Sequence, residues 1–147
     1  MVNTISVADL ERRGACETQV EGFRRAFEAA EDGVEVTVEN VLTALKAGLD
    51  LRWLARSGFM TPDYVAYLRV LAAAWQAYLD VQRPAWNKYE RLMTTIPKAS
   101  RWSIGVGRVA YNRIEKAAGE KYHLAEATAW VAAYEASVEV GAKELSR

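Results

Sequence analysis

Cysteine, histidine and proline are scarce in this 147-residue chain, which holds one Cys, one His and three Pro. A lone cysteine, Cys16, excludes an internal disulfide framework and a multi-cysteine zinc site. A lone histidine, His123, excludes a metal centre built on two imidazoles. No apolar run approaches the roughly 18 residues of a membrane span. The opening Met1-Val2-Asn3-Thr4 has neither the basic nor the apolar stretch of a signal peptide. Net charge is missing too, since nineteen basic side chains cancel nineteen acidic ones. That balance argues against a polybasic coater of DNA or membranes and against a wholly acidic DNA mimic. The expectation from these absences is a soluble, cytoplasmic domain with no membrane partner.

What is present is apolar surface and helix signals. Hydrophobic residues make up 51% of the chain, enough to bury a core. Ser6 with Asp9 has the spacing of a capping box, and Gly14 offers a stop. Val20, Phe23 and Phe27 recur at helical spacing over Cys16 to about Ala30. Val34-Glu35-Val36 reads as a brief extended piece. Thr37 and Asp50 are N-caps for the two helices that follow, with Gly48 and Ser57-Gly58 as terminators. Thr61-Pro62-Asp63 starts a long helix running to about Met93, in which Pro84 is expected to make a kink or a break. Gly105-Val106-Gly107 suggests a loop or weak helix before helical stretches near 109–118 and 122–145, which Gly119 either separates or joins within one long helix. The expected fold is therefore all-α, one helical domain with a short-helix head (1–60), a repeat helix (61–95) and C-terminal helices (99–147).

The repeat is eleven residues long. Ala66–Gln76 laid over Ala77–Asn87 matches at seven of eleven positions, and a third copy begins at Lys88. Tyr67, Tyr78 and Tyr89 fall eleven apart, as do Trp75 and Trp86. Eleven residues is close to three helical turns, so the tyrosines share one face. The tryptophans lie on one flank of that face and Val70 with Val81 on the other. An apolar arc that wide calls for two neighbours, from the same chain or from a second subunit.

The head, Ile5-Ser6-Val7-Ala8-Asp9-Leu10-Glu11 through Gly14-Ala15-Cys16, then Phe23-Arg24-Arg25 and Gly33-Val34-Glu35-Val36-Thr37, precedes Pro84-Ala85-Trp86-Asn87-Lys88-Tyr89-Glu90-Arg91. Over about residues 4–93 the chain resembles a group of uncharacterised bacteriophage and prophage proteins with such a head and Pro-Ala-Trp-x-x-Tyr-Glu-Arg repeats. The resemblance implies a phage context and no mechanism.

Neutrality conceals opposite poles: residues 1–63 are net −4 and residues 88–121 net +5. Within the basic segment Lys98, Arg101, Arg108 and Arg113 alternate with Trp102 and Tyr111, a mixture suited to phosphate pairing and base stacking. The plainer reading pairs those cations with the acidic head. Glu120-x-x-His123, with Glu126 one turn on, has the spacing of helix-bundle metal sites but lacks the second histidine. An exposed or partly packed His123 is the better reading, and no metal is expected. Cys16 lacks a neighbouring base and reads as a small, partly buried residue. Gly105-Val106-Gly107-Arg108 lacks the rest of a phosphate-binding fingerprint, so no cofactor is expected.

No catalytic constellation is complete, whereas tryptophan and tyrosine, favoured at protein interfaces, are abundant. The expected function is non-enzymatic protein binding through Trp75, Trp86, Tyr67, Tyr78 and Tyr89, with a host or phage protein as partner and homo-oligomerisation left open. The alternatives are a nucleic-acid module using 98–113 and a metal-dependent enzyme centred on Glu120 and His123.

Overall fold

A computed structural model of the chain describes residues 3–28, 30–59, 64–95 and 101–144. The fold is all-α apart from one minimal ladder, in which β1 (Thr4–Ile5) runs antiparallel to β2 (Val34–Glu35). The helices are α1 (Val7–Arg12), α2 (Glu17–Ala26), α3 (Val38–Lys46), α4 (Leu51–Leu54), α5 (Tyr64–Thr95) and α6 (Arg101–Glu144). No described helix is long and apolar enough to cross a membrane. The chain divides into two compact units, Met1–Leu71 with Glu126–Arg147, and Ala72–Ala125.

Local sequence shapes the first unit. Ser6 caps α1 through a complete capping box: its hydroxyl accepts from the Asp9 N–H while the Asp9 carboxylate accepts from the Ser6 N–H at 3.0 Å. Those bonds hold the Asp9 carboxyl below its ordinary range. Thr37 and Asp50 cap α3 and α4 through the N–H groups of Asn40 and Trp53. Among the described residues the positive-φ positions are Gly14, Gly33, Gly48 and Gly58; Gly14, Gly48 and Gly58 stand at stops that the sequence marks, and Gly33 leads into β2. At Gly58, φ is +95° and a Cβ would meet the Arg13 guanidinium, so only glycine suits this wide turn (Ala55–Phe59). Helix α2 ends at Ala26, short of the expected Ala30, because the backbone turns extended at Phe27. That turn lets the Ala30 carbonyl accept from the Val7 N–H at 3.0 Å, tying the end of α2 to α1.

The core of this unit gathers Val7, Leu10, Val20, Phe23, Leu51 and Leu54. Its largest member comes from far along the chain: Trp130 of α6 is 1% exposed, and its indole N–H donates to the Leu51 carbonyl at 3.1 Å. Tyr134 stacks on Trp130 with ring centres 5.4 Å apart. Burial, reinforced by the Asp9 charge, pushes the Tyr134 phenol up. Arg13 donates to the Ser57 carbonyl at 2.9 Å and lies 4.0 Å over the Phe59 ring. From α5, Tyr67 and Leu71 are buried, and the Tyr67 hydroxyl donates to the buried Glu126 carboxylate at 3.4 Å.

The second unit consists, among described residues, of 72–95 of α5 and 101–125 of α6, paired antiparallel. Helix α5 is one element through Pro84, so of the expected kink or break the break does not occur. Pro84 cannot donate to the Asp80 carbonyl one turn back, and both residues lie on the exposed side of the helix. Helix α6 is likewise one element through Gly105, Gly107 and Gly119, so of the readings left open the helix at 105–107 and the single long helix through Gly119 are the ones observed. Gly107 marks a close approach, since a Cβ there would strike the Leu92 side chain. A Cβ on Gly119 would meet nothing. The expected start signal Thr61-Pro62-Asp63, and Ile96-Pro97 beyond α5, lie outside the described residues.

Candidate interaction surface

Three aromatic rings meet twice in the second unit. Trp75 stacks on Tyr78 at 5.1 Å and meets Tyr122 edge-on at 5.5 Å. Eleven residues further along α5, and eleven back along α6, Trp86 meets Tyr89 at 5.9 Å and Tyr111 edge-on at 5.4 Å. Gln82 donates to the Tyr111 hydroxyl at 2.9 Å between the two clusters. Burial, with the nearby Glu115 charge, pushes the Tyr78 phenol up. The tyrosines are half-buried in the seam, whereas Trp75 and Trp86 remain 47% and 39% exposed. Of the five residues expected to meet a partner, the structure brings four into these clusters. Tyr67, 1% exposed, belongs to the core of the first unit.

The same repeat governs the other side of the seam. One hollow of the second unit is lined on α5 by Ala77, Tyr78 and Val81, the next by Lys88, Tyr89 and Leu92. On α6 the linings are Ala118, Lys121, Tyr122 and Ala125, then Gly107, Ala110, Tyr111 and Ile114, again eleven apart. Within the first unit a hollow lined by Ala66, Tyr67, Val70, Ala129, Ala132, Ala133 and Ala136 occupies the corresponding sequence positions. Helix α6 therefore carries an eleven-residue repeat in which no regularity is evident from sequence. Its only strong marker is Tyr111 with Tyr122, because glycine and alanine fill most other slots.

The basic segment begins α6. Arg101, Arg108 and Arg113 are exposed, and Trp102 is 77% exposed with Val106 and Val109 one and two turns beyond it. Tyr111, expected among these groups, faces α5 instead. Lys98 lies outside the described residues. The one described salt bridge of this unit joins Lys116 to Glu120 at 4.0 Å.

Glu120, His123 and Glu126 do not converge. Glu120 lies against Lys116, exposed His123 packs beside the Tyr122 ring, and Glu126 is buried beside Tyr67. Among the described residues no group of three or more His, Cys, Asp and Glu side chains is placed to hold a metal. Cys16 is the exposed N-cap of α2 with no side-chain cap bond, not the partly buried residue expected. A half-open apolar pocket of the first unit, bounded by Ile5, Phe23, Val41, Leu54 and Trp130, measures about 40 Å³, room for a few waters. No family model, no curated protein and no solved structure matches the chain.

Proposed function

We propose that this is a non-enzymatic phage or prophage accessory protein that binds another protein, a bacterial host factor foremost, through the tryptophan side of the α5–α6 hairpin. The observation that carries the reading is the half-exposure of Trp75 and Trp86, one repeat apart and each held by two tyrosine rings. Tryptophan anchors interfaces because it offers a large apolar area with few rotatable bonds. Indoles already held by ring contacts lose little further freedom when a partner docks. The phage context rests on the resemblance over residues 4–93. Immobilised protein is expected to retain a specific protein from host lysate, and the W75A/W86A variant, with helicity unchanged by circular dichroism, to lose it. Equal retention by both forms, or none by either, overturns the reading.

Trp102 favours a second reading. The most exposed large apolar side chain among the described residues stands among Arg101, Arg108 and Arg113, as stacking and phosphate contacts require. A mobility shift with single-stranded nucleic acid, weakening with salt and lost in R101A/R108A, would support it. No shift at low salt removes it.

A further inference from the structure

Near its start, the outer face of α6 is apolar and bare. Trp102, Val106 and Val109 are 77%, 50% and 59% exposed, and their spacing of four and then three sets them on one line of the helix. The other face of the same turns carries Gly107 against Leu92 and Tyr111 stacked on Tyr89 at 5.8 Å. Those contacts fix the rotation of α6, so the Trp102 line points away from α5. Arg101, Arg108 and Arg113 stand around the line, each exposed and without an ion pair among the described residues. No carboxylate falls between Arg101 and Ile114, and at this end of the unit α5 adds Lys88 and Arg91 against Glu90.

We propose that this segment of α6 docks on an anionic phospholipid surface, with Trp102, Val106 and Val109 below the headgroups and the arginines on the lipid phosphates. An apolar line bearing tryptophan and flanked by cations is what an interfacial helix presents, and the long arginine stems let the charges stay at phosphate level. Single-stranded nucleic acid suits the cations equally, but it stacks successive bases on successive rings. Only Trp102 offers a ring on this line, because Tyr111 is turned into the seam, and valine has no aromatic face but gains by burial in hydrocarbon. A protein interface keeps charge out of its apolar centre and sets it on the rim. Here Arg113 continues the apolar line one turn past Val109, and the surrounding charges are of one sign. A bilayer tolerates that pattern, since mobile lipid phosphates can gather at each guanidinium. Neutrality of the whole chain argues against a membrane coat, yet this end of the hairpin is locally basic. Trp75 and Trp86 take no part, so the docking stands whether or not they bind a separate protein.

Co-sedimentation of the full chain with vesicles tests this, using phosphatidylcholine alone or mixed with phosphatidylglycerol. The expected result is binding to the mixed vesicles that weakens with salt, and binding to the neutral ones about tenfold weaker or less. At unchanged helicity, W102A is expected to weaken binding about tenfold. R101Q/R108Q is expected to weaken it roughly twentyfold, since each cation near such a surface is worth about fivefold. All three side chains are exposed, so their replacement does not disturb the core. W75A/W86A is expected to bind as the wild type does. Equal binding to neutral vesicles, indifference to W102A, or loss in W75A/W86A overturns the proposal. So does no binding to the mixed vesicles, which would leave an acidic protein as the occupant. Release of the bound chain by oligothymidylate at equal phosphate concentration overturns it too, and would assign the segment to nucleic acid.

Discussion

Trp130 and Trp75 occupy the two long helices and end in opposite circumstances. Trp130 lies under elements from three parts of the chain, with its N–H on the Leu51 carbonyl, whereas Trp75 has two tyrosine rings on one side and solvent on the other. The difference runs through the units to which they belong. Among described residues of 72–125, Ala118 is the only buried apolar residue, while the first unit buries Trp130, Tyr67, Leu10 and Val7 almost completely. Two helices provide one seam, and one seam covers about a third of each helix. Several short helices converging on a point cover all of a side chain. The first unit is built as a finished core, the second as a surface.

The largest test of that contrast is truncation of its two tryptophans. W130A is expected to cost about 3–5 kcal/mol by urea unfolding, and W75A only about 1–2 kcal/mol, for half-buried area and its ring contacts. The reverse order would break the comparison. Two glycines of α6 sharpen it next. G107A is expected to destabilise by about 1–3 kcal/mol through overpacking against Leu92, and G119A to stabilise by up to about 1 kcal/mol through helix propensity alone. Equal thermal shifts for the two variants would show that the seam is not closely packed at Gly107. S6A is expected to cost about 1 kcal/mol, confined to the first unit in hydrogen exchange.

Two pH dependences belong to the first unit and are smaller. The Asp9 carboxyl is depressed by its bonds to Ser6, so its contribution is complete above the unfolded value of 3.8 and disappears as pH falls through the lower folded value. Acid unfolding of S6A is expected to lack that component. Tyr134 is raised by burial, so its neutral form stabilises the fold below the unfolded value of 10.0 and the contribution disappears as pH rises through the folded value. Alkaline absorbance titration of wild type against Y134F is expected to assign the missing transition to a pH above 10.0. A transition at the ordinary tyrosine value would place Tyr134 at the surface.

The head was the most legible part, because its signals are local. Capping side chains at Ser6, Thr37 and Asp50 and glycines at Gly14, Gly48 and Gly58 act within a few residues of themselves, and all appear where the pattern sets them. Legibility failed where a local breaker met a tertiary environment. Gly105, Gly107 and Gly119 weaken a helix in isolation, yet α6 runs through all three as it packs along α5. Pro84 removes one helix hydrogen bond, yet α5 runs through it on the exposed side of the helix. Half of the candidate surface was legible as well: the tyrosines and tryptophans of α5 announce their eleven-residue spacing. The matching spacing in α6 was not, since a slot filled by alanine looks like any other alanine.

The sequence by itself determined helical character, the caps and stops of the head, and the eleven-residue period of α5, all consequences of short-range backbone chemistry and 3.6-residue geometry. Tertiary structure alone decided which tryptophan is core and which is surface, and that Tyr67 is buried while its repeat-mates Tyr78 and Tyr89 remain half open. Equivalent positions of a repeat are chemically identical until other elements converge on one of them, and that convergence is a property of the folded chain.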